Sequence, residues 1–465
     1  MIKRINICQS NIHNKVRELM LKAQCNSGYI TCCKLQFKRL VTFLISGCII
    51  FSTAVYASEH CQTEAPPTIL TRENALTRLL QCNLEIIDSR RFITANEANL
   101  LQAGQTQNPN LTIGIGNINP KLGIGAGSYF DKTIDTSIRY EQLIERGNKL
   151  NLRVKSAQGV VLASKQDVLD TERQQSIILL SSMVDVATIT ERINLLSQMV
   201  ALYTETSRAN SIRLEKGDLS PIDADRQKID ANRAQIDLHQ AQSDAKTAQL
   251  TLATLLGWQA KADLLTVDPA ILDVAPADSP QFDIDNRTDV KAAKLRVEVT
   301  SQQLELAKAQ LKSDITAGVQ YDHWPASQNN ATGTGDTISF TVGFPISVNN
   351  HYEGEIALAM SNEDAAKEAL AHVEANAKSE WQHMNANVES AQENLQLMQK
   401  ELLPRAESVA HTVESGYSKG ALGLLDLLEA RRMLRQTSLD TLTARASFAR
   451  SILTRNQSIS INSIN

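Results

Sequence analysis

Few residues in this chain are spaced to do chemistry, and those few point to electrostatics rather than catalysis. Beyond residue 57 the histidines are His60, His239, His323, His351, His372, His383 and His411, with no HExxH pair among them, and no CxxC occurs to hold zinc. No phosphate-binding loop of the Walker type is present, so any energy input must come from a partner. The sequence therefore argues against an enzyme and calls for no metal and no cofactor. His323-Trp324 reads as a surface or interface pair. Asp426 and Glu429 stand three apart, on one face of any helix that carries them, where the plain reading is a solvated face. A few residues upstream of them, Gly420-Ala421-Leu422-Gly423 reads as a helix-ending turn, and Gly217-Asp218-Leu219-Ser220 reads the same way.

The elements that must position these residues are written twice. Lys216-Gly217-Asp218-Leu219 with Ile222-Asp223 recurs as Lys419-Gly420-Ala421-Leu422 with Leu425-Asp426, shifted by 203 positions. Leu111-Thr112-Ile113 recurs as Ile315-Thr316-Ala317 at a shift of 204. Two landmarks that hold their spacing over a hundred residues imply a duplicated unit. In the first unit, a helical stretch is expected over about 71–105, then two strands around a Gly-rich loop (Gly123, Gly125, Gly127). From Lys149 to Lys216 only Gly159 interrupts a helical pattern long enough for about 100 Å of helix. Leu179, Met183, Val186, Ile193 and Val200 lie on its coiled-coil-like seam. A second helix returns from Pro221 to about Leu256, its proline near the start where a missing N–H costs little. The second unit repeats this with a helix over 290–312, two strands, a helix over 353–418 broken only by Pro404, and a return to about Leu453. The expected division is 1–57 for an N-terminal extension and signal, 58–260 and 288–465 for the repeats, and a Pro- and Asp-rich connector over 261–287.

Four segments alternate apolar and polar residues: Leu111–Ile115, Ile134–Tyr140, Ile315–Tyr321 and Ile338–Phe344. Their apolar sides carry Ile134, Ile138 and Tyr140, then Ile315, Val319 and Tyr321, then Ile338, Phe340, Val342 and Phe344. Period-two alternation fits an antiparallel sheet with one wet face, and it equally fits a membrane barrel with lipid outside and a polar lumen. The helical seams face one another and leave nothing to cover such a sheet. Four strands cannot close a barrel, since the smallest have about eight, so the barrel reading requires an oligomer.

All seven cysteines lie in the first 82 residues. Lys38-Arg39, an apolar run from Leu40 to Val55 and a small residue at Ala57 have the form of a secretory signal. Ile45-Ser46-Gly47-Cys48 offers the alternative of lipidation at Cys48, with a shorter apolar run before it. After cleavage at Ala57 only Cys61 and Cys82 remain, free to pair outside the cytoplasm or to stay as thiols. Composition agrees with a folded, helix-rich chain: 42% apolar, 21% charged and only 4% aromatic. A net charge of −4 argues against a nucleic-acid partner.

In this order the segments resemble the TolC-like outer-membrane efflux factor family over nearly the whole mature chain. The resemblance rests on Asn108-Pro109-Asn110-Leu111 before the first strand and Gln142-Leu143-Ile144-Glu145-Arg146-Gly147-Asn148-Lys149 after the second. Arg287-Thr288-Asp289-Val290, Gly343-Phe344-Pro345-Ile346 and Tyr417-x-x-Gly420 add to it. The Glu145–Lys149 block is similar to the heavy-metal (cobalt–zinc–cadmium) branch, departing from it at Asn148 and Leu150. The resemblance implies a mainly α chain, with long helical hairpins and four strands per protomer. A homotrimer would close a twelve-stranded barrel in the outer membrane and a helical tunnel in the periplasm. It implies a periplasmic adaptor and an inner-membrane pump of the RND type as partners, and outer-membrane lipid around the barrel. It places Gly217–Ser220 and Gly420–Gly423 at the adaptor-docking mouth and Asp426 and Glu429 at the pore constriction. The expected function is the outer-membrane channel of a tripartite efflux system, probed against drug efflux or type I secretion through the same duct, and against a periplasmic coiled-coil adaptor.

Overall fold

The computed structural model describes Cys61 and residues 65–459, apart from 119, 122, 128–131, 277–279 and 326–334. The expected signal over 1–57, Cys48 included, lies outside the described residues. Four strands form one antiparallel sheet in the order β1 (Asn110–Gly116), β2 (Asp135–Ile144), β3 (Ile315–Trp324) and β4 (Gly335–Gly343). β2 and β3, separated in sequence by residues 145–314, pair directly, so the two repeats contribute to a single surface.

The pairing aligns like with like. Ile113, Ile138, Tyr321 and Ile338 form one row across the sheet, and Leu111, Tyr140, Val319 and Phe340 form the next. Because side chains alternate with period two, these rows share one face. The opposite face carries Thr112, Arg139, Gln320 and Ser339 in one row and Asn110, Glu141, Gly318 and Thr341 in another. Gly318 is needed there: a Cβ would stand 2.5 Å from the Thr341 hydroxyl oxygen and 3.2 Å from Glu141.

Two helices open the first repeat, α1 (Arg72–Cys82) and α2 (Leu84–Ala103). The single helix expected over 71–105 is thus divided, and the reason is local. Asn83 leaves the helical region (φ −71°, ψ 127°), and its side-chain oxygen accepts from the amides of Glu85 and Ile86 as an N-cap. Then α3 (Lys149–Glu215) runs 67 residues and α4 (Pro221–Leu255) returns beside it. Ser220 caps α4 through its hydroxyl, with Pro221 in the first turn. The second repeat has α5 (Thr288–Ala309), α6 (Glu353–Leu397), a π-helical turn at Met398–Leu402, α7 (Leu403–Ser418) and α8 (Leu424–Ile459). The break expected at Pro404 lies a few residues earlier, in that π turn. Short 3-10 turns occupy the connector, and Phe282 from it stacks on Trp381 of α6 with ring centres 5.0 Å apart.

The largest core lies midway along α3. Leu179, Leu180, Met183, Val184 and Val186 are buried there against Leu76 and Leu79 of α1, Leu252 and Leu256 at the end of α4, and Leu453 of α8. Leu70 pairs with Val267 in a parallel bridge that ties the start of the described chain to the connector. Farther along α3 the seam continues through Ile193 and Val200, packed on Leu196, Leu238 and Ala241. No helix among the described residues is long and apolar enough to cross a membrane, which says nothing of the sheet.

Candidate functional site

The site has two ends, the sheet and the helical tips. On the sheet, Leu111, Ile113, Ile115, Ile138, Tyr140, Val319, Ile338, Phe340 and Val342 are all exposed, Phe340 at 82%. Water would not tolerate so large an apolar face on a lone chain, whereas a lipid environment would. The exposed series runs on past β4 through Phe344, Ile346 and Val348. Ile315 opens β3 on the same face and is half-buried, as is Tyr321. Ile134 departs from expectation: it lies just before β2 and is buried, so it offers nothing to a lipid face. On the polar face Arg139 and Glu141 pair at 2.5 Å.

At the lower end of the sheet the Gln142–Lys149 segment turns from strand into α3. Gly147 (φ 72°) and Asn148 (φ 62°) both adopt the left-handed conformation this corner requires. Asp314, immediately before β3, holds the corner by accepting the Lys149 Nζ and the Arg146 amide, each at 2.8 Å. Burial disfavours its charge, yet bonding from Lys149 and Arg146 prevails and keeps the carboxyl below the usual range. Arg153 forks onto Glu145 and bonds the carbonyls of Ala103 and Gln105, which orients the end of α2. The residues carrying the family resemblance here are therefore fixing the geometry of a strand-to-helix junction. Arg287, at the start of α5, bonds Asp289 and Glu380 at 2.7 Å each and so ties that start to α6.

Both tips end in a left-handed glycine, Gly217 (φ 77°) and Gly420 (φ 74°). In each, the next amide reaches back to close the helix: Asp218 donates to the Arg213 carbonyl at 2.8 Å and Ala421 to the Gly416 carbonyl at 2.9 Å. Leu422 folds over Gly416, where a Cβ would meet its Cδ1 at 2.6 Å. The two tips share a small apolar cluster, in which Leu424, Leu427 and Leu428 of α8 are buried with Leu219, Val413 and Tyr417 against them. Gly217, Asp218, Ser220, Gly420, Ala421, Leu422 and Gly423 are exposed around it.

Asp426 and Glu429 are both exposed on α8, one turn apart. Asp426 has a second task that its spacing from Glu429 concealed. Its Oδ2 accepts the Gly423 amide at 3.0 Å, so the carboxylate helps to start α8.

Sequence reasoning missed the polar network just behind the tips. The Tyr417 hydroxyl accepts from Arg213 at 2.8 Å and donates to Asn210 at 3.4 Å. Asn210 bonds Gln227 in turn, and both are buried. Arg431 links Thr206 and Glu414, and Arg432 forks onto the buried carboxylate of Asp230 at 2.7 and 2.8 Å. These contacts tie the second hairpin to the first. The available signal was Asp230 and Asn210 at seam positions where the helical period demands apolar residues. Burial raises the pKa of Tyr203, which lies close to this cluster. Among the described residues no group of three His, Cys, Asp or Glu could hold a metal ion. Cys61 and Cys82 are both in disulfide form.

Residues 281–454 match the family model described as Outer membrane efflux protein. That segment takes in most of the second repeat. The description is of an efflux protein and not of an enzyme. Solved structures of similar fold span both repeats, which extends the likeness beyond the matched segment itself. The outer-membrane channel OprN is 16% identical, covering 85% of this chain and 90% of its own, with a TM-score of 0.67. CusC is 14% identical over 86% and 96%, with a TM-score of 0.69. VceC of Vibrio cholerae is 14% identical over 83% and 95%, with a TM-score of 0.67. No curated protein matches the sequence. At such identities the shared property is the fold: two repeats, with the sheet at one end and paired helical tips at the other.

Proposed function

We propose that this chain is the outer-membrane duct of a tripartite efflux system, conducting its cargo passively from the periplasm to the outside and gated at the helical tips. The observation that carries the reading is the four-stranded sheet: apolar and exposed on one face, polar on the other, with no element among the described residues to cover it. Three copies would join β4 to the next chain's β1 and close twelve strands, satisfying the edge hydrogen bonds that a membrane cannot. The outer face then meets outer-membrane lipid, and Arg139, Glu141 and Gln320 line the lumen. The hairpins reach into the periplasm, where a periplasmic adaptor docks on Gly217–Ser220 and Gly420–Gly423 and links the duct to an inner-membrane pump of the RND type.

Around a threefold axis Asp426 and Glu429 would place six carboxylates at the periplasmic mouth, and like charges so arranged attract cations. That charge and the form of the Glu145–Lys149 block support heavy-metal cations as cargo. The reading is tested by membrane fractionation with chemical cross-linking: the protein should sediment with the outer membrane and cross-link as a trimer. Recovery as a soluble periplasmic monomer would reject it. For the gate, the Asp426→Ala/Glu429→Ala pair should weaken block by multivalent cations in planar bilayers, and an unchanged block would remove the two carboxylates from the mechanism.

A further inference from the structure

The strands of the sheet carry few charges, and the pairing sorts them by face. His323 and Asp336 stand opposite each other on the apolar face, with the His323 Nδ1 and the Asp336 Oδ1 2.7 Å apart. Asp135, Arg139, Glu141 and Asp322 fall on the polar face. Arg139 is the only lysine or arginine in the four strands.

Its place offers it two carboxylates. Arg139 lies in the row Thr112, Arg139, Gln320 and Ser339, between a row that holds Asp322 and a row that holds Glu141. It turns to Glu141, 2.5 Å away, while Asp322 accepts from the amide of Gln320 at 2.7 Å. Gly318, opposite Glu141, leaves room for this choice, since a Cβ there would come within 3.2 Å of the Glu141 Cγ. The Arg139–Glu141 pair is therefore locally neutral, whereas the donor that holds Asp322 carries no charge to cancel it.

We propose that Arg139 sets the ion preference of the barrel lumen, by neutralising a ring of carboxylates that would otherwise hold cations on their way out. The inference rests on the duct reading, in which three copies close the sheet. Without Arg139, the Glu141 and Asp322 carboxylates of all three copies would face one lumen uncompensated. With it, only the Asp322 charges stand free in these rows. A conducting pore must release what it admits, and a strong ring of carboxylates at the exit would retain multivalent cations. Arg139 occupies Glu141 and so replaces a trap with a mild preference, in series with the carboxylates of the tips and separate from them.

The geometry of closure gives the size of the effect. Twelve strands ~4.8 Å apart and tilted by about 40° make a barrel of ~12 Å backbone radius, which puts Arg139 within about 10 Å of the axis. Three unit charges at that distance, screened over a Debye length of ~10 Å in about 0.1 M salt, change the density of a monovalent ion on the axis about twofold. Cations and anions respond oppositely, so the ratio of their permeabilities changes about fourfold.

The test is the reversal potential of the full-length trimer in planar bilayers, under a KCl gradient around about 0.1 M. Asp426→Ala/Glu429→Ala is present throughout, so that the mouth adds no charge of its own. Arg139→Gln should raise the K+ to Cl− permeability ratio about fourfold. Glu141→Gln, which removes the other half of the same pair, should lower it by a similar factor. A general disturbance of the barrel would not move the ratio in opposite directions. A ratio that neither substitution moves, or that both move the same way, would overturn the inference while the channel still conducts. A trimer that never conducts would instead reject the duct, and the role of Arg139 with it.

Discussion

Asp314→Ala is the substitution whose cost can be worked most directly from the structure. Its carboxylate accepts both the Lys149 ammonium and the Arg146 amide at 2.8 Å. The Lys149 side chain is only 6% exposed, so removing Asp314 strands a charge with almost no water to replace its partner. Breaking a buried pair from one side costs about 3–5 kcal/mol. Asp314 is 24% exposed, which admits some water and places the expected loss near the lower end, at about 3 kcal/mol. Asp314→Asn keeps one acceptor for one donor and should lose about half as much. Lys149→Met with Asp314→Leu removes both charges together and should fall within about 1 kcal/mol of the native chain. The assay is urea unfolding of the detergent-solubilised protein, followed by helical circular dichroism and arranged as a double-mutant cycle. A coupling energy of at least about 2 kcal/mol is expected. Asp314→Ala within 1 kcal/mol of the native chain, or single losses that simply add, would refute the view that this corner depends on a buried charge pair.

Other consequences can be checked in parallel. Gly420→Ala forces a side chain into φ 74° and should cost about 1 kcal/mol in the same unfolding assay, with Gly217→Ala behaving alike. Tyr417→Phe removes a hydroxyl that joins Arg213 and Asn210, and should raise the frequency of channel opening without changing single-channel conductance. Asp289 is held below its ordinary value: burial opposes the charge, but bonding from Arg287 outweighs it. Its contribution, like that of Asp314, is complete above the unfolded value of 3.8 and disappears as pH falls through the lower folded value. Acid unfolding below about pH 4 should therefore be less steep in Asp314→Asn. Thiol titration of the denatured, unreduced protein should find neither Cys61 nor Cys82 reactive, and free thiols at both would contradict the disulfide form.

Much of the fold was legible because long elements repeat simple periods. The heptad-spaced seam from Leu179 to Val200 located α3, and alternation located all four strands to within a few residues. The repeated Lys-Gly tips set the register of the duplication. Local side-chain competition was harder to see. Asn83 divides the first helix by capping the second, a choice that depends on its side chain reaching two amides. The π turn precedes Pro404 because the ring's conflict lies with the residues before it. Ile134 keeps strand alternation yet is buried ahead of β2, since period alone does not fix where pairing starts. The Asn210–Gln227 and Arg432–Asp230 contacts join segments that sequence separation hides. Asp426 showed its charge in the sequence, while its bond to the Gly423 amide required the turn geometry.

The central claim is tested most directly by planar-bilayer recording from the purified, detergent-extracted outer-membrane protein, with its oligomeric mass measured on the same preparation. The account predicts discrete conductance steps from a trimer. A trimer or a monomer that inserts without conducting, under voltages and salt at which outer-membrane channels conduct, would contradict it.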